Sequence, residues 1–136
     1  MLTINNVSKK FENNGLHSIL ENINITAREG EFVCILGPSG CGKTVLLYMA
    51  AGFISPSSGD ISIDGKIVKK PSLESIMIFQ DYVLLPWLTV YDNIMFGLSK
   101  ISLSKKQKTL LVSEYLDIVG LTKFKDWYPH TLSGGM

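Results

Sequence analysis

At 136 residues the chain has the length of one domain, enough to remove roughly two thirds of its unfolded surface from water. With 46% hydrophobic and only 18% charged residues it is too apolar for disorder, and 12 Gly with 5 Pro are too few for a low-complexity chain. Thirteen Lys+Arg against twelve Asp+Glu leave a net charge of +1, which argues against the strongly basic footprint of a nucleic-acid binder.

The N-terminus, MLTINNVSKKF, alternates apolar and polar residues and lacks the basic and apolar regions of a secretory signal, so export is not expected. Residues 2–7 and 23–27 read as strands. The run FVCIL at 32–36 is nearly all apolar and reads as a strand buried on both faces, which would place Cys34 in the interior. A glycine loop follows, then residues 44–51, apolar or small almost throughout, read as a short buried helix stopped by Gly52. SGDISIDGK alternates through Ile61 and Ile63 and reaches Asp64-Gly65, the signal of a type I′ hairpin. Residues 76–79 read as another apolar strand.

From Trp87 onward the patterns are helical. The clearest helix begins at Ser104, where Ser104 and Gln107 form a capping box; Leu111, Tyr115, Ile118 and Val119 share one face, and Gly120 ends it. No run approaches the ~18 consecutive apolar residues of a spanning helix, since VLLPW at 83–87 is short and broken by Pro86. Cys34 and Cys41 have neither metal-ligand spacing nor a disulfide framework, which suits a reducing compartment.

Gly37, Pro38, Ser39, Gly40, Cys41, Gly42, Lys43 and Thr44 fit G-x-x-x-x-G-K-S/T, the P-loop, a pattern that chance produces in roughly 0.5% of chains this long. The residue types follow from the chemistry. Glycines let backbone N–H groups wrap phosphates, a helix opening near Lys43 adds its positive end, the Lys43 ammonium reaches β/γ oxygens, and Thr44 offers a hydroxyl to Mg²⁺. The competing reading is a glycine turn with a solvated lysine, which the flanking strand and helix patterns disfavour. A GTPase needs an Asn/Thr-Lys-x-Asp base reader, and the nearest stretch, Thr122 to Asp126, is one residue too long.

Two further elements appear in order: Gln80 directly after the strand pattern at 76–79, and Leu132-Ser133-Gly134-Gly135 after the helical segment. P-loop, post-strand Gln and LSGG together resemble the ATP-binding subunits of ABC transporters, over the whole chain from Leu2 to Met136. The resemblance implies an α/β fold: a RecA-like P-loop NTPase core with an antiparallel β subdomain and the start of a helical subdomain. The first two would occupy residues 1–86 and the last 87–136. It implies ATP and Mg²⁺ as ligands, with Gln80 heading a Q-loop that contacts Mg²⁺ and the attacking water, Lys43 and Gln80 as catalytic groups, and Thr44 and Gln80 on the metal. It implies that Ser133, Gly134 and Gly135 contact the nucleotide of a second ATPase subunit arranged head to tail. Phe11 stands where the family places an aromatic that stacks on adenine; on residue type alone it could equally be a strand core residue.

A finer resemblance, to importers of the nitrate, sulfonate and taurine group, is carried by LLPWLTVYDNIMFGL at 84–98 and YPHTLSGGM at 128–136, where Met136 replaces the usual Gln as this subgroup commonly does. It implies a transmembrane permease as partner, no nucleic acid, and a peripheral place on the cytoplasmic face of the membrane. Pro86-Trp87 would lie near the permease; an exposed loop with one buried tryptophan is the plainer alternative. His17 and His130 are expected to be structural or exposed, and Lys105, Lys106 and Lys108 a solvated face.

No Walker B strand, four apolar residues followed by Asp and Glu, occurs; the nearest imitation, at 61–64, runs into Gly65. The resemblance therefore implies the N-terminal portion of the family's domain, which binds nucleotide but lacks the carboxylate that polarises water. A soluble ABC protein of translation or repair, and a non-catalytic remnant, are the rival readings.

Overall fold

The computed structural model describes residues 1–12, 16–79 and 83–136. The chain divides into two compact units, Met1–Ile78 and Phe79–Met136. In the first, β1 (Leu2–Glu12), β2 (Leu16–Ala27), β3 (Ser58–Ile63) and β4 (Lys66–Ile67) form one sheet in the order β2-β1-β3-β4, every neighbouring pair antiparallel. β1 sits between two partners, with Ile4 opposite Ile25 on one side and Ile61 on the other. Its register shifts between Ile4 and Val7. There Asn6 adopts a left-handed φ of 47°, a conformation Asn tolerates, and its N–H donates to the Asn24 side-chain oxygen at 2.9 Å.

The helix α1 (Lys43–Ala50) lays Leu46 and Met49 into a core with Ile4, Val7, Leu20 and Ile61. The β3–β4 connection is the two-residue turn the sequence predicts: Asp64 and Gly65 have φ of 48° and 76° between the paired Ile63 and Lys66. The Asp64 carboxylate accepts a hydrogen bond from the terminal ammonium of Met1. That bond and the attraction of the same charge hold the carboxyl below the usual aspartate range, so this contribution exists at neutral pH and is lost as the pH falls through the lowered pKa.

In the second unit α2 (Val90–Gly97) and α3 (Lys105–Ile118) bury Val90, Leu98, Val112 and Leu116. Thr89 caps α2, accepting from the Asp92 N–H, and Ser104 with Gln107 forms the expected capping box at α3. Chain returning after α3 satisfies two more amides at the start of α2, Val90 N–H on the Trp127 carbonyl and Tyr91 N–H on that of Lys125, both 2.9 Å. The Asn93 side chain ties the preceding turn to the helix. It accepts from the Leu85 N–H at 2.8 Å and donates to the carbonyls of Leu85, Leu88 and Thr89. No helix among the described residues is long and apolar enough to cross a membrane.

Four sequence expectations fail. Residues 32–36 and 76–79 are not strands, and much of their apolar surface faces solvent: Phe32 is 92% exposed, Leu36 86%, Ile76 82% and Ile78 93%, while Ile35 packs against the core and Met77 and Phe79 are half-buried. A strand exists only through a ladder partner, and among the described residues none lies beside either segment. Cys34 is accordingly exposed rather than interior. On α3 the buried positions are Val112 and Leu116, with Leu111 partly covered, while Tyr115, Ile118 and Val119 are exposed. The predicted period is right and the face is turned by one residue, about 100°.

Candidate functional site

The glycine loop runs from the exposed segment at 32–36 into α1, and its shape follows from its small residues. Gly40 and Gly42 have φ of 81° and 96°. A Cβ on Gly42 would stand 2.9 Å from both Ile19 Cγ2 and Leu20 Cδ2, so only glycine lets the loop rest this closely on β2. A Cβ on Gly37 would stand 2.7 Å from the Cys41 sulfur, which places the thiol directly over that glycine. Cys41 N–H turns back to the Pro38 carbonyl at 3.4 Å.

Gly42 is the N-cap of α1 and supplies no side-chain cap. The first-turn amides therefore have no side-chain acceptor there, and the positive end of the helix faces the loop. The Lys43 ammonium folds back across the loop, donating to the carbonyls of Gly37 at 2.8 Å and Pro38 at 2.7 Å and reaching the Cys41 sulfur at 3.7 Å. Neutral carbonyls are weaker partners for an ammonium than phosphate oxygens, so an incoming phosphate can take this lysine from them. Thr44, next along the first turn, is exposed. The residues present fit a phosphate ester: donors and positive charge converge, with no carboxylate among them. They fit Mg²⁺ as a single hydroxyl ligand to an ion carried by phosphates, since no cluster of metal-ligating side chains exists among the described residues.

Phe11 lies near the end of β1 in the same unit, half-buried, with the Lys9 ammonium 5.0 Å from its ring centroid. The segment after α1 is laced to this end of β1. Ser57 N–H donates to the Ser8 carbonyl at 2.9 Å, Lys10 N–H to the Ser57 hydroxyl at 3.1 Å, and the Lys9 ammonium to the Ser55 carbonyl at 2.7 Å. Sequence reasoning passed over Lys9; its alternation with Phe11 on one strand face was the available signal.

Gln80 lies outside the described residues. Ser133, Gly134 and Gly135 belong to the second unit, where they follow a short 3-10 turn at Pro129–Thr131 and are exposed. With Leu84, Pro86 and Leu132 they line a groove of about 650 Å³. His130 is exposed on its rim, stacked on Tyr128 with ring centroids 5.9 Å apart. Trp87 is largely exposed, which removes the buried-tryptophan alternative for that loop. Lys105 and Lys106 are solvated as expected, and Lys108 is partly covered.

A family model described as ABC transporter matches residues 20–136. The chain belongs to the ABC transporter family. Among curated relatives of this ABC chain, the bicarbonate transport ATP-binding protein CmpD of Synechocystis sp. is 43% identical over 99% of the chain and 49% of its own length. The nitrate import ATP-binding protein NrtD of Synechocystis sp. is 48% identical over 86% of the chain and 44% of its own length. The ABC chain thus spans about half the length of the curated relatives it matches. The fold is that of a P-loop NTPase cassette: the ATP-binding cassette MJ0796, solved as a dimer bound to ADP and Pi, superposes with a TM-score of 0.82 at 27% identity, over 98% of the chain and 64% of the cassette.

Proposed function

We propose that this chain carries the nucleotide-binding elements of the energy-coupling ATPase subunit of an importer for a small anion or related solute such as nitrate, bicarbonate, sulfonate or taurine. The observation that carries the reading is the Lys43 ammonium held inside a glycine loop at the uncapped end of α1. Backbone amides of Gly37 and of residues 39–44 cradle the phosphates, Lys43 bridges the β/γ oxygens, Phe11 stacks on the base, and Thr44 with Gln80 would hold Mg²⁺. Magnesium, when bound, would supply charge neutralisation at the phosphates. In the assembled transporter two ATPase subunits face each other head to tail, Ser133, Gly134 and Gly135 of one opposite the phosphate loop of the other, on the cytoplasmic face of the membrane beneath a permease. The nucleotide-binding part falls to the compact unit Met1–Ile78 and the helical part to Phe79–Met136, a division eight residues before the 86/87 boundary expected from the sequence. The identity to NrtD and CmpD supports the solute class.

Hydrolysis also needs a carboxylate to polarise water, and no Walker B sequence is present in these 136 residues. The chain alone binds nucleotide without turning it over. Titration of Mg·ATP into the chain and into Lys43→Ala tests the binding half of this reading. Loss of one charge-assisted contact weakens affinity by about 10- to 100-fold; equal dissociation constants would overturn the phosphate role.

A further inference from the structure

Lys9 sits two residues before Phe11 on β1, so both side chains project from the same face of the strand. A strand lysine ordinarily leaves its ammonium in water. Here it is fixed at two points, donating to the Ser55 carbonyl at 2.7 Å and standing 5.0 Å from the centroid of the Phe11 ring. We infer that Lys9 is the positioning residue of the base-binding aromatic: its ammonium, anchored on Ser55, holds the Phe11 ring in the orientation in which a purine stacks on it.

The inference rests on Phe11 being the stacking residue and adds what sets the ring in place. A cation over an aromatic ring is attracted to its negative face, and the attraction strengthens when partly desolvated; Lys9 and Phe11 are both half-buried. The cation also draws π density toward itself, which improves the ring as a partner for an electron-rich base on its remaining surface. Ser55 and Ser57 belong to the segment that leaves α1, so this bond and the Ser57 lacing of β1 tie the base site to the helix whose first residue is Lys43. Base and phosphate subsites are thereby held at a fixed spacing through three contacts, of which Lys9 makes the one that touches the ring.

The test is a titration of Mg·ATP and of Mg·tripolyphosphate, which has no base, into the chain and into Lys9→Met, Lys9→Arg, Phe11→Ala and the Lys9→Met/Phe11→Ala double variant. Thermal melts confirm that each is folded. Lys9→Met is expected to weaken ATP by about 2- to 10-fold with tripolyphosphate unchanged, Lys9→Arg to restore it, and Lys9→Met to add nothing once Phe11 is Ala. Unchanged ATP affinity in Lys9→Met, an equal loss for tripolyphosphate, no rescue by Arg, or a full second loss in the double variant overturns the inference while leaving Phe11 as the stacking residue. If Phe11→Ala itself binds ATP normally, the stacking reading fails and the role of Lys9 falls with it.

Discussion

The Lys43 ammonium already has partners in the free loop, so binding is an exchange in which two carbonyls give it up to phosphate oxygens. The same geometry makes Cys41 a reporter of that exchange. Its sulfur lies over Gly37 and within reach of Lys43, whereas Cys34 lies upstream, and both cysteines are exposed. Exposure therefore does not rank their reactivity, but ligand protection does. Brief maleimide treatment followed by mass-spectrometric mapping should show Mg·ATP slowing Cys41 and leaving Cys34 unaffected; equal slowing of both would place nucleotide elsewhere. Gly42 is the least replaceable loop residue. Gly42→Ala forces a side chain into a left-handed φ of 96° and against Ile19 and Leu20, and we expect a loss of about 2–4 kcal/mol in chemical denaturation from strain and overpacking together.

At the scale of elements, the α3 capping box is a local device with a local cost. Ser104→Ala removes the acceptor of the Gln107 N–H and should lower stability by about 1 kcal/mol, read as a shift of the urea midpoint at constant slope. Such signals are legible in sequence because all their partners lie within a few residues. Ser104 with Gln107, Asp64 with Gly65, and the run from Gly37 to Thr44 each specify their own geometry. What depends on a distant partner was less legible. Whether α3 buries Val112 and Leu116 or Leu111 and Tyr115 is decided by where Val90, the first residue of α2, and Leu98, just past its end, stand, and both faces carry apolar residues at helical spacing. Lys9 could be placed beside Phe11 by alternation, but its anchor, Ser55, is brought there only by the fold of the segment after α1. Residues 32–36 and 76–79 mark the limit most clearly, since an apolar run states what a segment can pair with and says nothing of whether a partner is beside it.

For the molecule as a whole, those two segments leave large apolar side chains uncovered. Phe32, Leu36, Ile76 and Ile78 stand open to water, alongside an exposed Trp87 and Phe96 in the second unit. Covering apolar area yields ~25 cal/mol per Å², so several uncovered large side chains forgo an amount comparable with a typical net stability of ~5–15 kcal/mol. We expect the free 136-residue chain to bind hydrophobic dyes, to exchange the amides of 32–36 and 76–79 rapidly, and to show no steady ATP turnover. Steady turnover abolished by Lys43→Ala would refute the last of these expectations and require another catalytic base.

The same exposed segments also bear on how the isolated 136-residue chain would meet a protease. A short exposed apolar stretch is what holdase chaperones grip and what proteases engage first, and residues 32–36 enter directly into the loop that holds Lys43. Cleavage of the isolated chain is expected to begin at these segments.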